Sequence, residues 1–283
     1  MKLQRCKAML GTYVEIKIHD SVSGVCLETA LSEAYEAIRK VSLLMSFHRK
    51  ESELSRINAL AYKQYVEIDA LTFNVLSLAN DLFRHTNGSV DCSIGQHLQK
   101  QNLLPQHAES QDRIKRTESD QSFNLDNMIL SQPNRVRFTA PLTLDLGGLA
   151  KGFAVDLACE SLIASGIQSG SVNAGGDLRV FGQHETSIHI RNPKCPEQLI
   201  HAGQLSNGAS ATSGIYFIDP DSKHTPRSAL ITPQTGQPIF LNKSFTVIAK
   251  TCAIADGLTK ALAVDLNPAA EYFHHFEAHA LIL

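Results

Sequence analysis

Two kinds of hydrophobic periodicity interleave along this chain, and their order limits its possible folds more than any other feature. Residues 12–19 alternate between apolar and polar side chains, as in a half-buried strand. Residues 27–41 place apolar side chains three and four positions apart, which is typical of an amphipathic helix. Further helical patterns cover about residues 72–85, 149–164 and 252–264. Because no regular βαβ repeat emerges, the sequence predicts a mixed fold, α/β to α+β, in one domain.

A polar and poorly periodic stretch, about residues 99–131, interrupts this pattern. Strand patterns resume after it at RVRFTA (135–140), LTLDL (142–146), SGSVN (169–173), DLRVFG (177–182), SIHIR (187–191) and SFTVIA (244–249). Since the strand patterns on both sides of the polar stretch fit one sheet system, we interpret it as a surface loop. The predicted single domain therefore covers residues 1–283.

Composition excludes two classes of binding surface. The chain carries 26 Lys and Arg against 28 Asp and Glu, a formal net charge of −2, and 43% of its 283 residues are hydrophobic. A nucleic-acid footprint or a membrane-surface patch requires a clustered basic face, and no apolar run approaches the roughly 18 residues that span a bilayer. We therefore expect no nucleic-acid partner and no membrane span.

The N-terminal residues predict a cytoplasmic protein. They carry basic side chains without the uninterrupted apolar stretch of a secretory signal, and they contain no lipobox. The alternative is a leader removed ahead of Met1. The six scattered cysteines form neither a CxxC nor a zinc-type spacing, which favours free buried thiols in a reducing compartment.

Residues 144–156, LDLGGLAKGFAVD, are the first candidate for a ligand site. Their pattern predicts a strand that ends at Asp145, two glycines that permit close backbone approach, and a helix with Lys151 in its first turn. Free N–H groups and the positive end of the helix dipole, together with an ammonium, suit an anion such as a pyrophosphate. The spacing is neither a Walker loop nor a Rossmann fingerprint, and the Gly-Gly pair by itself also fits a simple turn.

Two further segments carry candidate chemistry. Residues 172–179 predict a strand, a glycine turn and a strand, for which a hairpin is a sufficient interpretation. In the last long helix, Asp256, Thr259 and Lys260 share one face. A carboxylate and a hydroxyl so placed can hold an oxygen-ligated Mg²⁺. The alternative is an exposed Asp256–Lys260 ion pair on a solvated face.

Seven motifs in this order resemble the ApbE family of FAD:protein FMN transferases, also called thiamine biosynthesis lipoproteins. They are MLGT (9–12), MSFHRKESELSRIN (45–58), GSVDCSIG (88–95), DLGGLAKGFAV (145–155), NAGGD (173–177), ATSG (211–214) and the helix that carries Asp256. The fourth matches the family's D-L-G-G-I-A-K-G-Y-A-V almost letter for letter. Each motif is weak alone, but the ordered set over about residues 9–264 is specific.

The resemblance implies a single ApbE-like domain that takes FAD as substrate and Mg²⁺ as cofactor. Such enzymes transfer FMN from FAD to a threonine hydroxyl of an acceptor flavoprotein and release AMP, a phosphoryl transfer in which the metal acts as Lewis acid. The residues that would contact FAD, by position, are Leu10, His48, Ser89, Val90, Asp91, Asp145 and Lys151. The metal would take the main-chain oxygen of Gly148 and the side chains of Asp256 and Thr259.

The chain departs from the family pattern at three places, the first of which is Ile215, where the family commonly has an aspartate after A-T-S-G. The family's S-H-I-I-D-P-x-T-G is SALITPQTG at 228–236, so Ala229 and Thr232 replace a histidine with a catalytic role and an aspartate. The family's metal-binding threonine lies four residues after the aspartate, where this chain has Lys260. A general base contributes roughly 10²–10⁴ in rate. Because Ala229 stands at the position of the family's histidine, no catalytic residue is assigned. Two alternatives to the transferase are an FAD pyrophosphatase, which yields FMN and AMP, and a non-catalytic protein that stores or delivers FAD.

Overall fold

The computed structural model describes residues 3–106, 123–214 and 228–283. The chain divides into two compact units, each assembled from separate segments. Unit 1 comprises Met1–Ser42, Leu149–Ile218 and Leu241–Leu283, and unit 2 comprises Leu43–Gly148 and Asp219–Phe240. The periodicity gave no sign of this division, because each unit joins segments that lie far apart in sequence. The single-domain boundary over residues 1–283 stays a prediction.

Strands and helices alternate irregularly along the described residues. The strands are β1 (Leu3–Met9), β2 (Thr12–Ser21), β3 (Val66–Glu67), β4 (Met128–Ser131), β5 (Arg135–Phe138), β6 (Ile167–Ala174), β7 (Asp177–Arg191), β8 (Leu199–Gly214), β9 (Ser244–Ala249) and β10 (His279–Ile282). The α-helices are α1 (Leu27–Met45), α2 (Glu53–Leu60), α3 (Ala70–His85), α4 (Gly95–Lys100), α5 (Ala150–Ala164), α6 (Cys252–Asp265) and α7 (Glu271–His275). Three of the four long helices predicted from the periodicity are present within one or two residues of their predicted bounds, and the first, predicted at 27–41, continues four residues further to Met45.

Unit 1 contains a seven-stranded antiparallel sheet in the order β1-β2-β6-β7-β8-β9-β10. The alternating residues of β2 behave as predicted, since Val14, Ile16 and Ile18 are fully buried. Helix α5 packs on β6 and β7, and α6 packs on β8, β9 and α5. Ten of the 14 residues of α6 are buried, so this helix lies in the interior and brings its polar side chains with it.

The strand β7 corrects one prediction from the sequence. The patterns at 177–182 and 187–191 belong to one strand, which pairs with β8 over most of its length with a register shift between Val180 and Glu185. Gly182 has a φ of +74°, and a Cβ there would lie 2.0 Å from the main-chain oxygen of Gln168. A glycine at this bulge lets the strand continue where a side chain would break the pairing. The alternation was therefore interrupted by a bulge and not by a turn.

Unit 2 contains helices α2 to α4 and a three-stranded sheet in the order β3-β5-β4. The strand predicted at 142–146 is absent, since Thr143 makes a single bridge to Ile94. The Asn58 side chain instead accepts a hydrogen bond from Leu144 N–H and donates one to Leu144 C=O, both at 2.8 Å. One amide side chain thus replaces the ladder partner that a strand would need.

The polar loop predicted at about 99–131 lies partly outside the described residues. At its edges, residues 99 and 100 belong to α4, and residues 128–131 form β4. Both edges lie in unit 2. The predicted loop is therefore shorter than the polar stretch at these two ends.

Candidate functional site

The close approach of α5 and α6 depends on Gly152 and Asp156. A Cβ on Gly152 would lie 2.4 Å from the main-chain oxygen of Cys252, so only glycine allows the two helices to cross this closely. The Asp156 carboxylate accepts hydrogen bonds from the N–H groups of Cys252 and Ala253, each at 2.9 Å, at the start of α6. Arg179 on β7 donates to the same carboxylate at 2.9 Å. These contacts fix the start of α6 beside the start of α5 and so fix the position of Asp256.

Four charged side chains meet where these helices cross, and we call Lys151, Asp177, Asp256 and Lys260 the lysine–aspartate cluster. The Lys151 ammonium contacts the Asp177 carboxylate and lies 3.9 Å from Oδ2 of Asp256. The Lys260 ammonium contacts Oδ1 of Asp256. The carboxylates are buried, with side-chain exposures of 2% and 1%, whereas the lysine side chains are 30% and 26% exposed. The lysine side chains are therefore the more exposed members of the cluster.

Burial and charge act on these groups in opposite directions. Burial alone would raise the pKa of Asp256, but the ammonium groups of Lys151 and Lys260 outweigh it and hold that pKa below its ordinary value. Burial, and then the charge of Asp256, raise the pKa of Asp177 to about 7. Burial opposes the charge of Lys151, yet Asp256 and Asp177 raise the pKa of its ammonium. Of the two carboxylates in the cluster, Asp256 therefore stays ionised to the lower pH.

The predicted metal ligands on α6 do not fit an open magnesium site. Oδ1 of Asp256 is covered by the Lys260 ammonium, and Oδ2 accepts from Gly152 N–H at 3.3 Å. The Thr259 hydroxyl is fully buried, donates to the main-chain oxygen of Asp256 at 2.7 Å and pairs with the Ser213 hydroxyl at 2.8 Å. Mg²⁺ needs accessible oxygen atoms at about 2.0–2.1 Å in near-octahedral geometry. Gly148, the third predicted ligand, belongs to unit 2.

Two turns of unit 1 lie together at one end of the sheet. Leu10 and Gly11, with φ of 54° and 72°, join β1 to β2, and Gly175 and Gly176 join β6 to β7, as the predicted hairpin requires. A Cβ on Gly175 would lie 2.5 Å from the hydroxyl of Thr12, so the two turns touch. Leu10 is a bulky residue in the left-handed region, a strained conformation that clusters at functional sites.

Asp177, which follows the second turn directly, is the site residue that the sequence reasoning missed. It lies in the NAGGD motif as the final letter, so the motif carried a signal for it. The turn itself is held by Asn173, whose side-chain oxygen accepts from Gly176 N–H at 3.0 Å. Asp177 therefore enters the cluster from a fixed hairpin, 26 residues after its partner Lys151.

In unit 2 the structure brings together two of the segments predicted to bind FAD. Asp145 N–H donates to the main-chain oxygen of Cys92 at 2.7 Å, and Gly95 N–H donates to that of Thr143 at 2.9 Å. These bonds place Asp145 beside the segment that contains Asp91. The Asp91 carboxylate is buried and accepts from Ser93 N–H at 2.7 Å, and burial raises its pKa to about 6.

The remaining predicted residues of unit 2 differ in exposure. Ser89 and Val90 are buried beside Asp91, whereas His48 is exposed. The segment at 228–236 lies against the same region, because the Gln234 side chain donates to the main-chain oxygen of Gly88 at 3.1 Å. Ala229 is exposed and offers no group that can take a proton. The segment at 228–236 thus corresponds to the family motif but lacks its histidine.

The chain is similar in sequence to known proteins. The sequence profile of the ApbE family matches residues 10–282. An FAD:protein FMN transferase of Haemophilus influenzae is 31% identical over 270 residues, covering 90% of this chain and 78% of the relative. One from Vibrio cholerae is 27% identical over 269 residues, covering 90% of this chain and 79% of the relative.

Two solved structures share the fold. The crystal structure of the ApbE protein of Thermotoga maritima matches with a TM-score of 0.80 at 26% identity, over 99% of this chain and 93% of that one. The flavin transferase ApbE of Vibrio cholerae also gives a TM-score of 0.80, at 24% identity, over 99% of this chain and 92% of that one. The predicted mixed α/β to α+β class is confirmed.

The antiparallel sheet of unit 1, the glycines at the start of α5 and the ApbE-type sequence together define the class of protein. This chain belongs to the ApbE family. The curated relatives named above are enzymes, each called FAD:protein FMN transferase. In the described ranges, no helix combines the length and the apolar character needed to cross a membrane.

Proposed function

We propose that this chain is an FAD:protein FMN transferase, with FAD as substrate and a flavoprotein as acceptor. In the reaction, a threonine hydroxyl of the acceptor attacks the phosphorus of the FMN half of FAD. A new phosphorus–oxygen bond forms, the pyrophosphate bond breaks, the hydroxyl proton leaves and AMP departs with the bridging oxygen. Family membership supports the reaction type, and the names of the relatives give the substrate.

The observation that carries the proposal is the position of Lys151. Its ammonium lies in the first turn of α5, is anchored by the buried Asp177 and keeps 30% of its side chain exposed. An ammonium held this way can donate to a phosphate oxygen without losing its anchor, since it has three hydrogens. We therefore assign Lys151 to the pyrophosphate of FAD. In unit 1, the strained Leu10 is assigned to the flavin.

In unit 2, Ser89, Val90, Asp91 and Asp145 are assigned to FAD, and the exposed His48 to the flavin. The backbone bonds between the segments of Asp91 and Asp145 support a common role for these two carboxylates. The contacts of Asp256 and Thr259 do not fit the predicted Mg²⁺ site, so these two residues hold no metal ion in the proposed reaction. A cytoplasmic location remains a prediction from the N-terminal sequence.

The test uses purified protein, FAD and an acceptor flavoprotein fragment that carries the target threonine. Flavin fluorescence on the denatured acceptor, with equimolar AMP in solution, is the expected result, and a threonine-to-alanine acceptor should stay unlabelled. Lys151→Met should weaken FAD binding, whereas Lys250→Met changes an exposed lysine outside the cluster and should not. Equal FAD affinity in the two variants would contradict the assignment of Lys151.

The exposed methyl group of Ala229 favours a second candidate, a non-catalytic FAD-binding protein. Without a base at this position, the hydroxyl proton has no assigned acceptor, and the rate would fall by roughly 10²–10⁴. Bound FAD recovered intact after incubation with the acceptor would favour this candidate. FMN and AMP released in solution, with an unlabelled acceptor, would favour the pyrophosphatase.

A further inference from the structure

Lys260 has the contacts of a bound cation rather than those of a surface lysine. Its ammonium lies against three oxygen atoms: Oδ1 of Asp256, the main-chain oxygen of Asp256 at 3.0 Å and the hydroxyl oxygen of Ser213 at 3.3 Å. An ammonium has three hydrogens and no acceptor, so these three oxygens satisfy it completely. The predicted Asp256–Lys260 ion pair is therefore present, but it does not lie on an exposed, solvated face, because the carboxylate is 1% exposed.

The hydroxyl groups around Lys260 extend this arrangement into a closed chain of hydrogen bonds. Thr259 donates to the main-chain oxygen of Asp256 at 2.7 Å, so its hydroxyl accepts from Ser213 at 2.8 Å. Ser213 in turn accepts from Lys260. Each proton of the chain therefore has an acceptor, and the Lys260 ammonium donates at both ends of it, to Ser213 and to the main-chain oxygen of Asp256. Thr259 thus supports the Lys260 contacts and is turned toward the helix backbone.

Charge leads to the same conclusion. The lysine–aspartate cluster holds two carboxylates and two ammonium groups, so its formal charge is zero when all four are ionised. A divalent cation added beside Lys260 would bring two further positive charges to a carboxylate that is already paired and buried. Like charges at this distance, with little water between them, repel strongly. The metal could bind only if the Lys260 ammonium left.

We infer that the Lys260 ammonium takes the place on Asp256 where a divalent cation was expected, so that this chain binds the pyrophosphate of FAD without Mg²⁺. The ligand named here rests on the proposed function; the exclusion of the metal from Asp256 does not. Lys151 and Lys260 then supply, as covalently attached cations, the positive charge that the phosphates require. Because the three hydrogens of Lys260 are used by Asp256 and Ser213, Lys260 acts on the phosphates through its charge and is a positioning residue of this site.

Two measurements test the inference on the full-length protein. The first is the dissociation constant of FAD, from flavin fluorescence, in EDTA and in excess Mg²⁺. The second is Mn²⁺ binding to the FAD-free protein, followed by electron paramagnetic resonance. The variants are Lys260→Thr, which replaces the ammonium by an oxygen ligand, and Lys250→Thr, which makes the same change at an exposed lysine.

For wild type and Lys250→Thr, we expect an FAD affinity that differs by less than about twofold with and without metal, and no tightly bound Mn²⁺. For Lys260→Thr, FAD binding should weaken in EDTA and recover about fivefold or more with Mg²⁺, the size of an ordinary coupling between two ligands. Mn²⁺ should bind this variant.

Two results would overturn the inference. One is wild-type FAD affinity that rises about fivefold or more with Mg²⁺. The other is Mn²⁺ bound by wild type and lost in Asp256→Asn. If Lys260→Thr fails to fold, the wild-type measurements alone decide. If wild type binds no FAD under either condition, the proposed function fails, and the Mn²⁺ measurement still decides the inference.

Discussion

Gly152→Ala tests whether the crossing of α5 and α6 builds the site. The added Cβ would lie 2.4 Å from Cys252 O, 2.7 Å from Cys252 C and 2.9 Å from the Cα of Ala253, all backbone atoms. Since van der Waals contact needs about 3.5 Å, the helices must separate by roughly 1 Å. No side-chain rotation can relieve this clash.

Three effects set the size of the change. Overpacking costs about 1–3 kcal/mol, and losing the hydrogen bond from Gly152 N–H to Asp256 costs about 1 kcal/mol. Alanine gains about 1 kcal/mol in helix propensity over glycine. The clash with backbone places overpacking at the upper end of its range, so we expect a net loss of about 3 kcal/mol in unfolding free energy. Because Gly152 N–H would also leave Asp256, FAD binding should weaken.

Urea unfolding followed by circular dichroism measures this change as a lower midpoint with an unchanged slope. The matched control is Gly208→Ala, whose new Cβ meets the end of the flexible Leu205 side chain at 3.3 Å and should cost less than about 1 kcal/mol. If Gly152→Ala proved as stable as wild type, or more stable, the gain in helix propensity would have outweighed the clash between the helices. The crossing would then not constrain the site.

Three further predictions concern the supports of the two units. Asp156→Asn replaces one of the oxygens that accept from Arg179 and from the start of α6 by an N–H donor, and should lower the unfolding free energy by about 1–3 kcal/mol in urea. Asn58→Ala leaves the N–H and C=O of the buried Leu144 unpaired, so the same assay should show a loss of about 2–4 kcal/mol. Asp91→Asn should gain stability relative to wild type by up to about 3 kcal/mol between pH 4 and pH 7.

The sign of the pH effect follows from burial. The folded pKa of Asp91 is raised from 3.8 to about 6, so folding favours the protonated acid. Its contribution is fully present below pH 3.8 and is lost as the pH rises through 6. A constant difference between Asp91→Asn and wild type across this range would contradict the raised pKa. For Asp156, the control is Glu160→Gln, since Glu160 is 60% exposed and 3.6 Å from Arg179.

Some predictions succeeded because they depend on local spacing. The long helices, the alternation of β2 and the Gly-Gly hairpin each follow from residues within a few positions of one another. The strand predicted at 142–146 failed for the opposite reason. Its alternation is genuine, but Asn58, 86 residues away, takes the backbone groups that a neighbouring strand would pair. No local pattern contains that information.

The sequence by itself determined the periodicity, the turn glycines and, through seven ordered motifs, the ApbE family. It also placed Asp256 and Lys260 on one face of a helix. Only the tertiary structure decided that this face is buried, that Asp177 joins Lys151, and that Gly152 meets Asp256 across 104 residues. Because this ion pair is buried, little water is left to stabilise either charge, and each charge depends on its partner. The Lys260 ammonium is therefore held on the Asp256 carboxylate, unlike the lysine of an exposed helical ion pair. The choice between a metal ion and a lysine therefore depends on packing, which spacing cannot predict.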